Sequence, residues 1–500
     1  MICLDYVILF SFSLVLRYGV SLWPYSGMGV PPMHGDYEAQ RHWQEITVNL
    51  PLSDWYNQTK DNDLMYWGLD YPPLTAYHSY LVGRAGQWVN SSFTELQTSR
   101  GIESIQHKLF MRTSVILADL AVLFPGIFLL SGSLVSGTGI LLALYPGLIL
   151  IDHGHFQYNN ISLGLFIIAT SLVSRNRDVL GSIFFCLALN YKQMELYHAL
   201  PFFFFLLAKS WNQLTFCKKI TKVILIGVTV VLTFLFIWSP FLHRGLPTTL
   251  QVLKRIFPVD RGIFEDKVAN FWCSVDILLK LKNRLDISQL GVICLITTFI
   301  ASLPSNLHLL FKPSNRSFLF ALLNTSLVFF LFSFHVHEKS ILLVAIPAIL
   351  AGSILPQQSL YCSNLLPWFL SISTFSMLPL LYKDGLLIPS SALFIMYLVV
   401  HQNMHFILPR KQPKQRISSP LPVEPESVWE RSLALIQVLS ILGCIILTLL
   451  FVFYPPPSRY PYLWPAVISL YSAIHFIFFS AAFHYIQLYG VGTTQNKKTL

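Results

Sequence analysis

The chain reads as an all-α polytopic membrane protein of roughly fourteen transmembrane helices with a long first loop on one face. Three observations carry that reading. Of 500 residues, 54% are hydrophobic and only 12% charged, about half the charge of a soluble domain, and the mean hydropathy is +0.56. Apolar runs of bilayer-crossing length, about twenty residues with some shorter, recur from Val7–Leu16 through to Val467–Ile486. The cations sit in short loops between those runs, as membrane topology requires. The net charge of +10 and the isoelectric point near 9.1 therefore give no reason to expect nucleic acid.

Taken in order, the first run is a signal-peptide candidate, but Met1–Asp5 has no positive charge and Ser21-Leu22-Trp23-Pro24 is no small-residue cleavage site. It reads as a retained first span. The polar segment 24–109 follows, with sequons at Asn57-Gln58-Thr59 and Asn90-Ser91-Ser92 that suit a lumenal face. Five basic clusters come next: Arg175 and Arg177; Lys209, Lys218, Lys219 and Lys222; Lys312 and Arg316; Arg410, Lys411, Lys414 and Arg416; Lys497 and Lys498. The positive-inside rule places them in the cytosol. Consistent threading, with pairs of spans at 179–190 and 196–208 and at 341–354 and 363–380, gives the span count above and two cytosolic termini.

The remaining polar segments then meet on the opposite face: 24–109, Asp152–Asn160, Asn190–His198, His243–Lys280, His335–Ser340 and Lys383–Gly385. Ionisable groups beside hydrocarbon are costly, so a one-sided cluster points to a functional site. The plainer alternative is that each caps its helix in water. Residues 1–400 form the membrane region with its first loop, 401–432 a loosely ordered cytosolic linker rich in proline and charge, and 433–500 two last spans and a tail. Seven scattered cysteines without C-x-x-C spacing support neither a zinc site nor a disulfide framework. The lack of an internal repeat argues against an inverted-repeat transporter.

Chemistry enters with Gly35-Asp36-Tyr37-Glu38-Ala39-Gln40-Arg41-His42-Trp43 at the start of the first loop. Asp36, just above the membrane, suits a general base for a sugar hydroxyl, oriented by Arg41 or His42. It equally suits a cap on a helix beginning at Tyr37. Trp67-Gly68-Leu69-Asp70-Tyr71-Pro72-Pro73-Leu74 sets a second carboxylate in a stiff, aromatic loop fit for sugar stacking, or simply for packing. Asp61-Asn62-Asp63 imitates a metal-binding D-x-D beside a sequon, and we assign it no metal. His153, His155 and Gln157 lie in one histidine-rich segment, and His335, His337, Glu338 and Lys339 in another. H-x-H suits zinc, but Lys339 as a point charge and His337 as a donor equally suit a phosphate, and a structural role is the third option. Lys192, Arg261 and Lys267 are candidates to join that anion site.

The segments G-D-Y-E-A-Q-R-H-W, Y-W-G-L-D-Y-P-P-L-T-A-Y-H-S, L-I-D-H-G-H-F-Q-Y-N, N-Y-K-Q-M-E-L-Y-H-A-L-P-F-F, F-P-V-D-R-G-I-F-E-D-K-V-A-N-F-W-C and H-V-H-E-K-S-I-L-L occur in this order. From about Ser21 to Lys383 the chain thereby resembles the dolichyl-phosphate-glucose-dependent α-1,3-glucosyltransferases of asparagine-linked glycan assembly. The resemblance implies a GT-C fold, Asp36 as the essential carboxylate, and transfer in the endoplasmic-reticulum lumen without metal, nucleotide sugar or other cofactor. It implies two partners, a dolichyl phosphate glucose donor and a dolichyl diphosphate oligosaccharide acceptor. Carried onto the matching motifs, it makes Glu38, Arg41, Trp67, Asp70, Tyr71, His153, His155, Gln157, Lys192, Gln193, Arg261, Glu265, Lys267, His337 and Lys339 candidate substrate-binding residues.

Two eukaryotic branches add the first and second glucose. Gly35–Gln40 and Phe264-Glu265-Asp266-Lys267 resemble the first, which acts on Man9GlcNAc2-PP-dolichol. The second-glucose branch is the alternative, with a lipid-sugar transporter and a noncatalytic glycan-presenting subunit as rivals of other kinds. The end Lys497-Lys498-Thr499-Leu500 looks like a dilysine retrieval signal, in accord with a cytosolic C-terminus.

Overall fold

A computed structural model describes residues 2–132, 136–257, 267–357, 359–404 and 428–490. Arg261, Glu265, the basic cluster 410–416 and the terminal lysines lie outside the described residues. Among the described residues every regular element is helical. Helix α1 (Ile2–Ser21) leads into the first polar loop, which folds as a unit. There α2 (Gly35–Asn49) packs on α3 (Pro73–Val89), whose first turn is preset by proline. Both share an aromatic core of Trp43, Trp55, Tyr56 and Leu69 with Phe241, Val252 and Ile256 from further along the chain.

The bundle continues with α4 (Ile105–Ala118), which runs through a wide π turn into α5 (Phe124–Ser131). Helices α6 (Gly137–Leu144) and α7 (Pro146–Ile149) end in a second π turn, Leu150–Phe156. Then come α8 (Asn159–Ser174), α9 (Asp178–Tyr191), α10 (Ala199–Trp211), α11 (Phe216–Leu242) and α12 (Leu246–Ile256). The second half holds α13 (Phe271–Leu279), α14 (Ile287–Phe311), α15 (Asn315–Phe332), α16 (Leu342–Gly352), α17 (Leu366–Ser376), α18 (Leu378–Lys383) and α19 (Leu387–Gln402). The last two are α20 (Val428–Phe453) and α21 (Leu463–Tyr489).

Seven segments among the described residues are long and apolar enough to cross a bilayer, fewer than the roughly fourteen expected. The remaining apolar helices are shorter, among them Val7–Ser21, Asn159–Ser174, Leu387–Gln402 and the paired segments. α9, α10, α16 and α17 have 14, 13, 11 and 11 residues, which at 1.5 Å per residue is about 16–21 Å against a hydrocarbon thickness of about 30 Å. α16 and α17 are buried at every position, whereas α9 and α10 keep one side exposed, at Leu180 and Phe203. By contrast, only 6% of the apolar stretch of α11 and 11% of that of α20 is buried in the protein. An apolar helix exposed all round has lipid as its solvent.

The charge pattern is realised in three dimensions. At one end of the bundle Lys222 Nζ lies 2.7 Å from Asp178 Oδ2, Lys209 also pairs with Asp178, and Asn315 donates to the Ser174 carbonyl at 3.0 Å. Helices α8, α9 and α15 each start or finish there, and their other ends reach the polar segments around Asn159, Tyr191 and Phe332. The basic loops and the polar loops are thus held apart by the length of these helices.

Inside the bundle one carboxylate ties four elements together. Asp119 accepts from Arg17 Nε at 2.6 Å, His153 Nε2 at 2.9 Å and Asn160 Nδ2 at 2.8 Å, while Arg17 Nη1 also donates to the Ala143 carbonyl at 2.8 Å. All four side chains are buried. Removing one partner strands the others, so Asp119→Ala should lose about 3–5 kcal/mol of stability. The check is a thermal unfolding midpoint in detergent, which should fall clearly below that of wild type.

Candidate active site

Asp36 is the second residue of α2, and the chain before it is folded tightly enough to fix where that helix begins. Gly35 has φ +72°, and a Cβ there would lie 2.7 Å from the Ser26 backbone, so only glycine fits the turn. Ser26 is itself held by a backbone hydrogen bond to His155 at 3.0 Å, and its Oγ accepts from the Asp36 N–H at 3.3 Å. Tyr25 and Tyr37 stack with ring centres 3.9 Å apart. The loop that positions Asp36 is therefore pinned to the π turn carrying His155.

Three donors converge on one oxygen of Asp36. Oδ2 accepts from Lys339 Nζ at 2.5 Å, from His155 Nε2 at 2.9 Å and from Gln157 Nε2. Oδ1 has no hydrogen-bond donor among the described residues, which leaves its lone pairs for a ligand. Burial opposes ionisation of Asp36, but the Lys339 and His155 charges more than offset it and hold the carboxyl well below the usual carboxylate range. The other ring nitrogen of His155, Nδ1, lies 2.6 Å from Asp384 Oδ2.

A second line of contacts runs from Gln157. Asn159 Nδ2 donates to Gln157 Oε1 at 2.8 Å, and Lys192 Nζ donates to Asn159 Oδ1. Lys192 also lies 5.1 Å from the centre of the Tyr71 ring, a cation–π contact. Burial, reinforced by Lys339, depresses the Lys192 ammonium to about 8. Gln40, one helical turn beyond Asp36, joins Tyr71, Thr75 and Lys192 around a small cavity of about 10 Å³. Gln193 Nε2 anchors the Asp70 carbonyl at 3.2 Å, and Trp67 donates through Nε1 to the Met33 carbonyl.

Of the residues singled out from sequence, Asp36, His155, Gln157 and Lys339 meet directly, and Lys192, Tyr71, Gln193 and Asp70 adjoin them. His337 is two residues from Lys339 on the same half-buried turn. Three others sit elsewhere. Glu38 and Arg41 are 1% and 0% exposed and are consumed within the loop: Arg41 bonds both Glu38 oxygens at 2.6 and 2.8 Å, Glu45 at 2.6 Å and Ser99 at 2.5 Å. Helical geometry explains this, since positions 38, 41 and 45 share a face that 36 and 40 do not.

That buried network clamps the loop. Burial works against the Glu45 charge, but His42 and Arg41 bring its carboxyl down to about 2. The resulting stabilisation is complete above the ordinary glutamate range near ~4.3 and is lost only as pH falls toward 2. His153 is the third of these. It turns toward Asp119 because residues two apart on a helical turn point to different sides. Lys267 is exposed, with its carbonyl bonded by Ser469.

In the D-x-D stretch Asp63 Oδ1 accepts from the Met65 N–H at 3.0 Å and closes a turn. Among the described residues no group of three His, Cys, Asp or Glu side chains is arranged to hold a metal ion. Asp384, Asn159 and Gln40 were not singled out from sequence. Gln40 was within reach through its i, i+4 relation to Asp36, and Asp384 through its place in a short polar segment on the same face.

Comparison with known proteins gives the family. The family model described as "ALG6, ALG8 glycosyltransferase family" matches residues 12–483. A Gallus gallus protein named dolichyl pyrophosphate Man9GlcNAc2 alpha-1,3-glucosyltransferase is 45% identical over 97% of this chain and 97% of its own length. The Mus musculus protein of the same name is 44% identical over 98% and 97%. A Drosophila melanogaster protein with that name marked probable is 46% identical over 93% and 95%. With that match running through nearly the whole bundle and both polar ends, the chain belongs to the ALG6, ALG8 glycosyltransferase family.

Proposed function

We propose that this chain transfers the first glucose from dolichyl phosphate glucose to Man9GlcNAc2-PP-dolichol in α-1,3 linkage, at the lumenal face of the endoplasmic reticulum membrane. The observation that carries the reading is the Asp36 carboxylate, with one oxygen engaged by Lys339, His155 and Gln157 and the other without a donor among the described residues. The Man9GlcNAc2 in the relatives' names favours the first glucose over the second.

A β-linked glucosyl phosphate that yields an α product is displaced with inversion in one in-line step. The 3-hydroxyl oxygen of the terminal mannose attacks the anomeric carbon, and the bond from that carbon to the phosphate oxygen breaks with its electron pair. Asp36 Oδ1 takes the hydroxyl proton, a contribution of about 10²–10⁴ in rate. Dolichyl phosphate leaves already ionised, so cations serve it better than a general acid. We assign Lys339, His337 and Lys192 to that role.

Lys339 then has two partners. In the resting site it sits on Asp36 and lowers its basicity. A donor phosphate competes for the ammonium, and as Lys339 moves to it Asp36 becomes the stronger base. The base is thus most effective once donor is present. The lipid tails of both reactants stay in the bilayer while their heads meet above it, which supplies the proximity term.

Asp36→Asn should abolish transfer, by about 10² or more, while donor binding and the unfolding midpoint stay near wild type; Asp70→Asn should remain active. Retained activity in the first and loss in the second would move the base to Asp70. His337→Ala should raise the donor KM in a protein that still reaches the membrane, and an unchanged donor dependence would refute the phosphate assignment. Transfer by the purified chain should persist in EDTA; a loss restored by a divalent ion would contradict the mechanism.

A further inference from the structure

The contact between His155 and Asp384 is not used by the displacement itself, yet it is one of the best-defined in the site. Asp384 follows α18, where Gly385 at φ +73° ends the helix and the Gly385 and Leu386 N–H groups bond back to Tyr382 at 3.0 Å and Leu381 at 2.8 Å. That closed turn packs on the π turn of His155. A Cβ at Gly154 would lie 2.8 Å from the Leu386 side chain. The His155 and Asp384 side chains are each only 3% exposed.

His155 presents Nδ1 to Asp384 Oδ2 at 2.6 Å and Nε2 to Asp36 Oδ2 at 2.9 Å. An ionised carboxylate only accepts hydrogen bonds, so each nitrogen facing one must carry a proton. With a single carboxylate neighbour, neutral imidazole would satisfy the geometry; with two, imidazolium does. The charged groups around the ring are Asp36 from α2, Asp384 after α18, Lys339 after α15, and Arg112 from α4, whose Nη2 donates to the Gly154 carbonyl at 2.8 Å. The two carboxylates thus lie among three cationic groups, the imidazolium, Lys339 and Arg112.

We propose that Asp384 is a positioning residue that keeps His155 doubly protonated and thereby holds Asp36 by Oδ2, with Oδ1 turned to the acceptor hydroxyl. The inference rests on Asp36 as the base. When Lys339 moves to the donor phosphate, the His155 N–H and Gln157 become the remaining ties on Oδ2, so the orientation of the base during transfer depends on the proton that Asp384 secures. Without Asp384 the protonated ring keeps only one of the two carboxylates that favour it, and in the neutral ring Nε2 carries either a proton or a lone pair. In the second form it repels Asp36.

The test uses the full chain in lipid nanodiscs with synthetic donor and acceptor, and reads kcat and KM against pH for Asp384→Asn and His155→Gln. Asp384→Asn should lower kcat at least tenfold at neutral pH with donor KM within twofold of wild type, and should regain activity as pH falls and His155 is protonated without help. His155→Gln, which does not titrate, should lose as much with no recovery, and adding Asp384→Asn to it should cost nothing more. An unchanged kcat, a loss equal at every pH, or a further loss in the double variant would overturn the proposal. Should Asp384→Asn not survive purification, His155→Gln decides: wild-type activity there overturns it. An active Asp36→Asn control sinks the base assignment instead, whereas an inactive control beside a wild-type Asp384→Asn sinks the positioning role alone.

Discussion

The arrangement depends on one ion cluster: the Asp36 carboxylate against the Lys339 ammonium and the His155 ring. A carboxylate this near hydrocarbon is unstable alone, because burial disfavours its charged form. It is kept ionised by cations that belong to distant parts of the chain, the π turn before α8 and the turn after α15. The cluster therefore exists only if α2, α8 and α15 meet with the right ends together. The buried network around Asp119 and the clamp around Arg41 fix those elements on either side. Neither network touches the reacting groups by the contacts seen here, yet both set where those groups stand.

The same cluster explains why a membrane fold suits the task. The donor and acceptor we propose are both lipids by their tails and carbohydrates by their heads. The exposed apolar surfaces of α11 and α20 suit a lipid phase, and the proposed base stands on the folded first loop. Charges that would be screened in bulk water act more strongly at this partly enclosed boundary. The opposite, basic end anchors orientation through the positive-inside bias.

Much of this was legible from residues. Among the described residues, the basic loops around Arg175, Lys209 and Arg316 lie at one end of α8, α9 and α15 and the polar segments at the other, as the loops alone suggest, and Asp36, His155, Gln157, Lys192 and Lys339 all stand out in the sequence. The rest was not legible, for physical reasons. Apolar runs at 179–190 and 341–354 look alike because hydropathy does not tell a lipid-facing helix from one buried in protein, and only the fold separates the fully buried α16 from α9 with its exposed Leu180. Glu38 and Arg41 look like ligand contacts because a charged pair in a motif gives no sign of which helical face it takes. His153 and His155 look equivalent in sequence, and only the π turn sends one to Asp119 and the other to Asp36. Asp384 stands in the sequence only as one member of a short polar segment, with nothing there to mark His155 as its partner.

The central claim is that Asp36 takes the proton and that Lys339 leaves it for the donor phosphate. The most direct measurement is an electron cryomicroscopy structure of the Asp36→Asn chain with donor and acceptor both bound. The account predicts the acceptor 3-hydroxyl within hydrogen-bond reach, about 3 Å, of the side chain at position 36, in line with the anomeric carbon, and Lys339 Nζ on the phosphate. An acceptor hydroxyl held by Asp70, or a phosphate bound with no contact to Lys339, would contradict it.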